Sequence, residues 1–203
     1  MLLWYKFDET SGTTAIDSSG SGKDGILRGG ASWSIGKNLG SVKLNVVDGY
    51  VQIPNGILSN VDDFTIATWV KVNSQRNFQR IFDFGIDSDV NMFLTSNSAH
   101  SAEGGVLFAI TLGSFQNEER IGTGNRLDIG EWKHIAVTMS GGTSTIYENG
   151  VQVARNENMT LKPSDLGSTT QNYIGKSMYT PDPYFDGEID DFRIYNIALN
   201  EAE

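Results

Sequence analysis

Residues 131–155 read EWKHIAVTMSGGTSTIYENGVQVAR, and this stretch indicates the fold. It contains three runs rich in β-branched and aromatic residues, 132–139, 143–147 and 151–155, separated by short breaks. Asn149-Gly150 lies between the second and third runs and is the strongest hairpin signal in the chain, because both residues accept the positive φ of a two-residue turn. The stretch therefore predicts antiparallel strands rather than a helix.

The same pattern extends outward through the rest of the chain. Apolar residues seldom recur at helical spacing, whereas short β-rich runs recur between Gly, Asn, Asp and Ser. Nine further runs are predicted strands: 2–7, 42–46, 50–53, 64–72, 78–84, 91–95, 106–112, 171–174 and 188–195.

The run 64–72 indicates how these strands pack. Alternation predicts that one face of this strand carries Ala67 and Trp69. The opposite face is apolar and carries Phe64, Ile66, Val70 and Val72. A strand that is apolar on both faces lies inside a sandwich or beneath covering loops. With no long helix and no linker-like stretch, residues 1–203 are predicted to form one all-β domain, a two-sheet antiparallel β-sandwich.

The composition limits the classes of partner. The formal net charge of the 203 residues is -10, which disfavours nucleic acids because their affinity depends on basic residues that release counterions. The chain has no cysteine, which excludes disulfides, thiolate metal sites and a cysteine nucleophile. The N-terminal residues hold no apolar stretch long enough for a signal peptide or a membrane span, so we expect no membrane insertion. A neutral ligand, or a cation held by carboxylates, suits this chain.

The loop 17–25, DSSGSGKDG, overlaps two well-known motifs. A dinucleotide fingerprint requires a helix after its last glycine, and the following residues 26–30 are too glycine-rich for one. An EF-hand requires a glutamate at loop position twelve, where this chain has Arg28. Two interpretations remain: a plain turn, or a calcium loop in which Asp17 and Asp24 contribute oxygens.

A calcium loop with so few carboxylates needs help from a distant segment. The densest candidate is Glu188-Ile189-Asp190-Asp191. In an alternating strand, Ile189 would point into the core and the consecutive pair Asp190 and Asp191 would place one carboxylate on each face. An inward carboxylate needs a partner, for which a cation is suitable. From composition alone, the plain turn is favoured over the metal.

Both ends of the chain resemble a known family. WYKFDETSGTTAIDSSGSGKDGIL (Trp4–Leu27) and NYIGKSMYTPDPYFDGEIDDFRIYNIALNEAE (Asn172–Glu203) resemble the opening and closing segments of concanavalin A-like, laminin-G-like jelly rolls. Residues 48–54, 63–72 and 131–154 also match, so the resemblance spans essentially the whole chain. It implies two antiparallel sheets with adjacent termini and a structural calcium where they meet. By this resemblance the metal ligands are Asp17, Asp24, and Asp190 or Asp191, which makes calcium the favoured interpretation.

Three internal motifs narrow the resemblance: RIFDFG (Arg80–Gly85), MFLT (Met92–Thr95) and DPYFDG (Asp182–Gly187) are similar to accessory modules of bacterial glycoside hydrolases. The resemblance implies a non-catalytic carbohydrate-binding module that targets a plant cell-wall-type polysaccharide or oligosaccharide. It implies a catalytic glycoside hydrolase domain in the same polypeptide, a secreted, extracellular bacterial protein, and a monomeric module excised from it. The alternatives are an adhesion-type laminin-G-like domain that binds proteins, and a glycosidase.

The sequence lacks the second catalytic carboxylate that the glycosidase alternative requires. Retaining enzymes need two carboxyl groups across the scissile bond, and glucanases of this fold class carry them as E-x-D-x-E or E-x-D-x-x-E. Glu188 begins that pattern, but Phe192 and Arg193 stand where the second glutamate should be. His134 lies in an apolar strand and is interpreted as a structural histidine, and His100 lies in a loop without a nucleophile motif. The chain is therefore predicted to be non-catalytic.

A sugar site combines aromatic rings, which stack on C–H faces, with polar groups that bind hydroxyls. Four stretches offer this mixture, and Tyr179 and Tyr184 are ranked first because they lie in a loop with two prolines, where exposure is expected. The full set of predicted ligand-binding residues is Tyr179, Tyr184, Asp182, Arg80, Asp83, Gln79 and Asp87. Alternation in 78–84 predicts Arg80 on the same face as Phe82 and Phe84, opposite Asp83. A structural ion pair between Arg80 and Asp83 is the alternative for those two residues.

Overall fold

The computed structural model describes residues 1–100 and 104–200. This part of the chain forms sixteen strands and two single-turn 3-10 helices, Phe115–Asn117 and Pro163–Leu166. The strands are β1 (Leu3–Tyr5), β2 (Thr14–Ala15), β3 (Gly25–Arg28), β4 (Ser32–Ile35), β5 (Gly40–Leu44), β6 (Tyr50–Gln52), β7 (Phe64–Val72), β8 (Arg80–Asp87), β9 (Val90–Ser98), β10 (Gly105–Leu112), β11 (Glu119–Gly122), β12 (Trp132–Ser140), β13 (Thr143–Glu148), β14 (Val151–Asn156), β15 (Gln171–Ile174) and β16 (Gly187–Tyr195).

The strands form two eight-stranded sheets. The first sheet has the order β14-β13-β12-β7-β16-β5-β4, with β1 also paired to β16, and the second has the order β11-β10-β9-β8-β15-β6-β3-β2. Every pairing between these strands is antiparallel. This confirms the all-β, two-sheet antiparallel sandwich of jelly-roll type.

The core lies between the sheets, where apolar faces from both sheets meet. Phe82 and Phe84 of the second sheet stack with ring centroids 4.8 Å apart, and Phe192 of the first sheet packs edge-on against both. The inward face of β7 is formed by the four predicted residues, and all of them are buried: Phe64, Ile66, Val70 and Val72.

The predicted hairpin at Asn149-Gly150 is confirmed. It joins β13 to β14, and the two residues have φ of 53° and 82°. All twelve predicted runs contain or overlap a strand. Four short strands were not predicted, namely β2, β3, β4 and β11, because two to four residues with few β-branched side chains give no clear alternation.

The beginning and end of the described chain meet in the first sheet. Strand β1 pairs with β16 through Leu3, Trp4 and Tyr5, and Tyr5 also bridges to Asp17. The adjacent termini expected from the family resemblance are therefore present in the structure. In residues 1–100 and 104–200, no helix has both the length and the apolar character needed to cross a membrane.

Candidate functional site

A cavity of about 200 Å³ opens beside strands β8 and β9 of the second sheet. Two loops complete its walls, the segment around the first 3-10 helix and the segment after β15. Nine side chains line it: Phe78, Arg80, Phe93, His100, Phe115, Glu118, Arg120, Tyr179 and Asp182. The cavity thus combines aromatic rings with charged groups of both signs.

Arg80 forms the floor of this cavity. Its side chain is only 3% exposed, and its Nη2 lies 3.0 Å from Asp182 Oδ2 while its Nε lies 3.4 Å from Asp83 Oδ2. Its Nη1 donates to the Phe78 carbonyl at 2.9 Å, and the guanidinium lies 3.7 Å from the centroid of the Phe93 ring. A planar guanidinium held at its edge and its face is pre-organised to present its remaining N–H groups.

Arg80 reaches the cavity because of a β-bulge. The register between β8 and β9 shifts between Arg80 and Phe82, so Ile81, Phe82 and Phe84 all enter the core while Arg80 contacts Asp83 at the cavity. The predicted placement of Arg80 with the two phenylalanines, opposite Asp83, is therefore wrong. An inserted residue breaks the period of two on which that prediction relied.

Asp83 supports Arg80 from beneath. It is fully buried, and besides Arg80 it accepts hydrogen bonds from Asn91 Nδ2 and the Met178 amide, both at 3.0 Å. Burial raises the pKa of Asp83 to about 6, although the Arg80 charge acts in the opposite direction. Burial also raises the pKa of Asp182, against the effects of Arg80 and Ser177.

Aromatic rings form the walls above this floor. Tyr179 donates from its hydroxyl to the Ser88 carbonyl at 2.7 Å, which fixes its ring, and burial raises its pKa to about 12. Phe78 packs edge-on against the His100 ring, with centroids 5.7 Å apart. Phe115 is 65% exposed, so its ring is available to pack against a ligand in the cavity.

The structure places three of the seven predicted ligand-binding residues in the cavity wall: Arg80, Tyr179 and Asp182. Asp83 lies directly behind them. Gln79 is fully buried and bonds to Ser74, Ser96 and Asp186, so it connects strands and loops instead of facing a ligand. Asp87 lies in the β8–β9 turn, where its Oδ1 accepts two turn amides, and it does not line the cavity.

Tyr184 lies in a second aromatic cluster, separate from Tyr179. It packs against Tyr50 at 6.2 Å between ring centroids, and Tyr50 meets Tyr173 edge-on at 5.3 Å. Lys176 lies over both of those rings, 4.6 and 4.5 Å from their centroids. Tyr173 is the cross-strand neighbour of Asp83, which in turn pairs with Phe93. The tyrosine cluster therefore begins one strand away from the cavity on the same sheet.

Sequence reasoning missed six lining residues: Phe78, Phe93, His100, Phe115, Glu118 and Arg120. Phe93 belongs to a run that resembled an ordinary core strand. Phe78 has a left-handed φ of 63°, which no alternation pattern reveals. The neighbouring Phe115-Gln116-Asn117-Glu118 segment gave no strand or motif signal, yet an exposed phenylalanine beside polar residues in a loop was the available indication.

The predicted calcium ligands Asp17 and Asp24 lie together in the loop before β3. Asp17 Oδ1 accepts the amides of Trp4 and Ser19, at 3.1 and 2.9 Å, and its Oδ2 accepts the Lys23 amide at 3.0 Å. Asp24 Oδ1 accepts the Asp17 amide at 2.8 Å. A carboxylate surrounded by N–H donors closes a turn, so these contacts support the plain-turn interpretation of the loop.

Asp190 and Asp191 lie on the outer side of β16, contrary to the prediction of one carboxylate on each face. A register shift between Asp190 and Arg193, with Asp191 at φ 54°, inserts a residue before the inward Phe192. Asp191 pairs with Arg193 through two bonds of 2.9 and 2.8 Å and accepts the indole N–H of Trp4 at 2.5 Å.

Asp190 is fully buried beneath the loop before β5. Its Oδ2 accepts the Asn38 amide at 2.8 Å, whereas its Oδ1 has no hydrogen-bond partner. Burial, with the nearby Asp191 charge, raises its pKa to about 6. One orphaned oxygen fits a cation, but the described residues contain no group of three or more Asp, Glu, His or Cys side chains arranged to share one.

The residues of the partial glycosidase pattern are engaged in structural contacts. Glu188 is buried and lies 3.4 Å from Lys71 Nζ. Of the two positions where a second acid would stand, Phe192 is part of the core and Arg193 is paired with Asp191. His134 lies on the outer face of the first sheet with its ring against Trp69, 5.3 Å between centroids.

Comparisons with known proteins give the family and related structures. A family model described as the concanavalin A-like lectin/glucanases superfamily matches residues 44–203. The chain is 25% identical, over 98% of its length, to an alpha-L-arabinofuranosidase of Bifidobacterium longum, and it spans 20% of that protein.

Two solved structures share the fold. Domain 4 of AbnA, a GH43 extracellular arabinanase from Geobacillus stearothermophilus solved in complex with arabinotriose, has a TM-score of 0.80 and 24% identity, over 99% of this chain and 94% of that one. The binding domain of botulinum neurotoxin serotype D/C has a TM-score of 0.71 and 16% identity, over 99% of this chain and 50% of that one.

Proposed function

The chain belongs to the concanavalin A-like lectin/glucanases superfamily, and from this membership we propose that it is a non-catalytic carbohydrate-binding module whose sugar site is the Arg80 cavity. The observation that carries the proposal is the floor of the cavity, where one guanidinium is fixed by Asp83, Asp182 and the face of Phe93. Such a group forms directed hydrogen bonds to adjacent hydroxyls without first losing side-chain freedom.

The walls supply the other half of sugar recognition. Tyr179, Phe78 and the exposed ring of Phe115 surround the guanidinium, and aromatic faces pack against the C–H face of a sugar ring. Asp182 offers a carboxylate oxygen to a hydroxyl donor beside Arg80. A cavity of about 200 Å³ suits one sugar unit, so we infer that it takes a single residue of a longer chain.

We propose an arabinose-containing plant polysaccharide as the ligand class. Two similar proteins support it, an arabinofuranosidase and an arabinanase domain solved with arabinotriose. The tyrosine cluster of Tyr50, Tyr173 and Tyr184 extends the same surface, so units beyond the first would pass over those rings. Glu188 and Arg193 form ion pairs, and Phe192 lies in the core. These positions support a role without catalysis.

Affinity electrophoresis through gels containing arabinan tests the sugar site. Phe115→Ala removes an exposed ring and Arg80→Lys keeps the charge but removes the guanidinium fork, so each is expected to weaken retention by about tenfold. Arg155→Ala is the matched control, because Arg155 lies on β14 of the first sheet, away from the cavity and the tyrosine cluster, and its exposed side chain pairs with Glu157. Retention unchanged in both cavity variants would contradict the assignment, and product release that Glu188→Gln abolishes would restore the glycosidase alternative.

The parent protein is the second part of the proposal. The Bifidobacterium relative is about five times as long as this chain, and the Geobacillus neighbour is one domain of an extracellular enzyme. These relatives support a module attached to a glycoside hydrolase in one secreted bacterial polypeptide, and we propose that the module is monomeric. Sedimentation of the module alone tests its monomeric state.

Calcium at the junction of the chain ends remains our proposal, with a revised ligand set. The oxygens of Asp17 face N–H donors and do not fit a metal ligand, whereas the buried Oδ1 of Asp190 has no partner and is free to contribute one of the several oxygens that calcium needs. A calcium ion there would supply the positive charge that Asp190 lacks.

A further inference from the structure

A second and larger concavity crosses the outer face of the first sheet, with a volume of about 590 Å³. Its floor is formed by small side chains on the two central strands, where Ala67 of β7 pairs with Ala136 of β12, and Thr65 pairs with Thr138. Small residues in the middle of a sheet face leave a trough wherever the neighbouring strands carry large ones. We call this trough the β7–β12 groove.

Large side chains on the flanking strands form the walls of the β7–β12 groove. Tyr147 of β13 stands beside Ala136, and on the other side Arg193 and Tyr195 of β16 stand beside Ala67 and Thr65. Cross-strand neighbours are about 5 Å apart, and the floor of the groove consists of the two strands β7 and β12. This width suits a single extended chain of sugar rings.

The ends of the groove are also defined. At one end, Trp69 and His134 pack edge-on with ring centroids 5.3 Å apart. At the other end, the segment after β16 lies against Thr65, whose hydroxyl donates to the Ile197 carbonyl at 2.9 Å and accepts the Leu199 amide at 2.8 Å. Among residues 1–100 and 104–200, the groove is therefore bounded at both ends as well as along its sides.

The two charged side chains of the lining form an ion pair, and Lys37 lies at the edge of the groove over the Trp69 ring, 5.1 Å from its centroid. Arg193 and Asp191 form a two-bond ion pair, and the Arg193 guanidinium also lies over the Trp4 ring, 4.7 Å from its centroid. Desolvation lowers the pKa of His134, so its imidazole is neutral at pH 7. Among the described residues its ring has no hydrogen-bond partner, which leaves a donor and an acceptor for a ligand.

We propose that the β7–β12 groove is a second binding site for a neutral oligosaccharide, on the opposite face of the sandwich from the Arg80 cavity. The lining has the composition that sugar binding requires, three aromatic rings (Trp69, Tyr147 and Tyr195) beside neutral hydrogen-bonding groups. The pairing of the two charged side chains disfavours anionic ligands, and the volume lies within the range of small-ligand sites. The groove takes only its ligand class from the proposed function, since its location and lining are independent of Arg80.

Two sites on opposite faces have a physical consequence. A single polysaccharide strand that meets both faces, or two strands that each meet one, would be held with an effective concentration set by the sandwich itself. The module would then bind arabinan more tightly than it binds a soluble trisaccharide. Loss of either site would weaken its binding to arabinan.

Titration of the 15N-labelled protein with arabinotriose, followed by the indole N–H signal of Trp69, tests the groove. The double variant Arg80→Lys/Phe115→Ala disables the cavity, and in it the Trp69 signal is expected to move as in the unmodified protein. Tyr147→Ala is expected to weaken that response by at least about tenfold, because it removes one stacking wall. Tyr147→Phe, which keeps the ring, and Val153→Ala on the neighbouring strand β14 are the controls for folding.

The outcomes separate the two sites. If the cavity signals move and the Trp69 signal stays, the groove proposal is overturned and the proposed function stands. If the Trp69 signal moves while the cavity signals stay, the groove stands and the cavity assignment fails. If neither set responds to arabinotriose or to the trisaccharides of xylan, galactan and fructan, both are overturned.

Discussion

Arg80 is almost fully buried, and the carboxylates of Asp83 and Asp182 contact its guanidinium. Because the pKa of Asp83 is about 6, this partner becomes neutral as pH falls below 6. One interpretation of the sequence placed Arg80 in a structural ion pair with Asp83, and the other placed it in the sugar site. In the structure Arg80 forms that ion pair and also forms the floor of the candidate site. The sequence pointed to Arg80, Tyr179 and Asp182 because they lie in stretches that combine aromatic rings with charged or amide side chains. It could not exclude Gln79 and Asp87, because their neighbours come from distant segments.

Asp83 makes stability depend on pH. Its pKa in the folded protein is about 6, against 3.8 ordinarily, so the folded state holds this proton more tightly than the unfolded chain. The tighter binding of this proton adds to the free energy of unfolding. This added stability is fully present below about pH 4, is lost as pH rises through 6, and amounts to about 3 kcal/mol at most. Asp83→Asn is therefore expected to gain stability relative to the unmodified protein between pH 4 and 7.

The measurement is the free energy of unfolding in urea at several pH values. Asp190, whose pKa is also raised to about 6, acts in the same window, but it is unchanged in both proteins and cancels in their difference. Asp87→Asn, at an exposed turn, is the control. A difference between Asp83→Asn and the unmodified protein that stays constant with pH would contradict the assignment.

Strands β8 and β16 show what alternation does and does not reveal. Both were predicted within a few residues of their observed bounds, yet each contains a β-bulge that moved Arg80 or Asp191 to a different face from the predicted one. A bulge needs only one inserted residue, and its position depends on contacts with the partner strand. Element existence was therefore predictable, whereas the faces of these functional residues were not.

Strand β3 provides a test at this scale, because it begins at a glycine that a side chain cannot replace freely. A Cβ on Gly25 would lie 2.9 Å from the Tyr5 ring, and Tyr5 is fully buried and donates to the Lys23 carbonyl at 2.7 Å. Gly25→Ala is expected to cost about 1–3 kcal/mol through overpacking. Ser21→Ala in the same loop is exposed and should change the unfolding free energy by less than about 0.5 kcal/mol. Equal effects of the two changes in thermal or urea unfolding would contradict this packing.

The fold of the whole molecule was predictable because many short runs with turn signals leave few alternatives to a sandwich. The meeting of the chain ends followed from the family resemblance, and β1 paired with β16 confirms it. The two concavities were not predictable. Each is assembled from residues far apart in sequence, such as Arg80 with Tyr179, or Ala67 with Ala136, and only the strand order brings them together.

Calcium is a prediction for the whole molecule, since the proposed ion would join its two ends. Chelation is expected to lower the melting temperature by several degrees, because an ion bound only to the native state stabilises it by mass action. Asp190→Asn should remove this dependence on calcium. Asp17→Ala should destabilise the loop equally with and without calcium, because its carboxylate binds amides. A melting temperature that chelation leaves unchanged would contradict the calcium proposal.

The binding of a sugar at Arg80 is the central claim, and the side-chain Nε–H signal of Arg80 tests it most directly. We expect titration with arabinotriose to shift this signal together with the amides of Phe78, Phe93, Tyr179 and Asp182, at one common saturation. An Arg80 signal that stays fixed while arabinotriose saturates the protein elsewhere would contradict the claim.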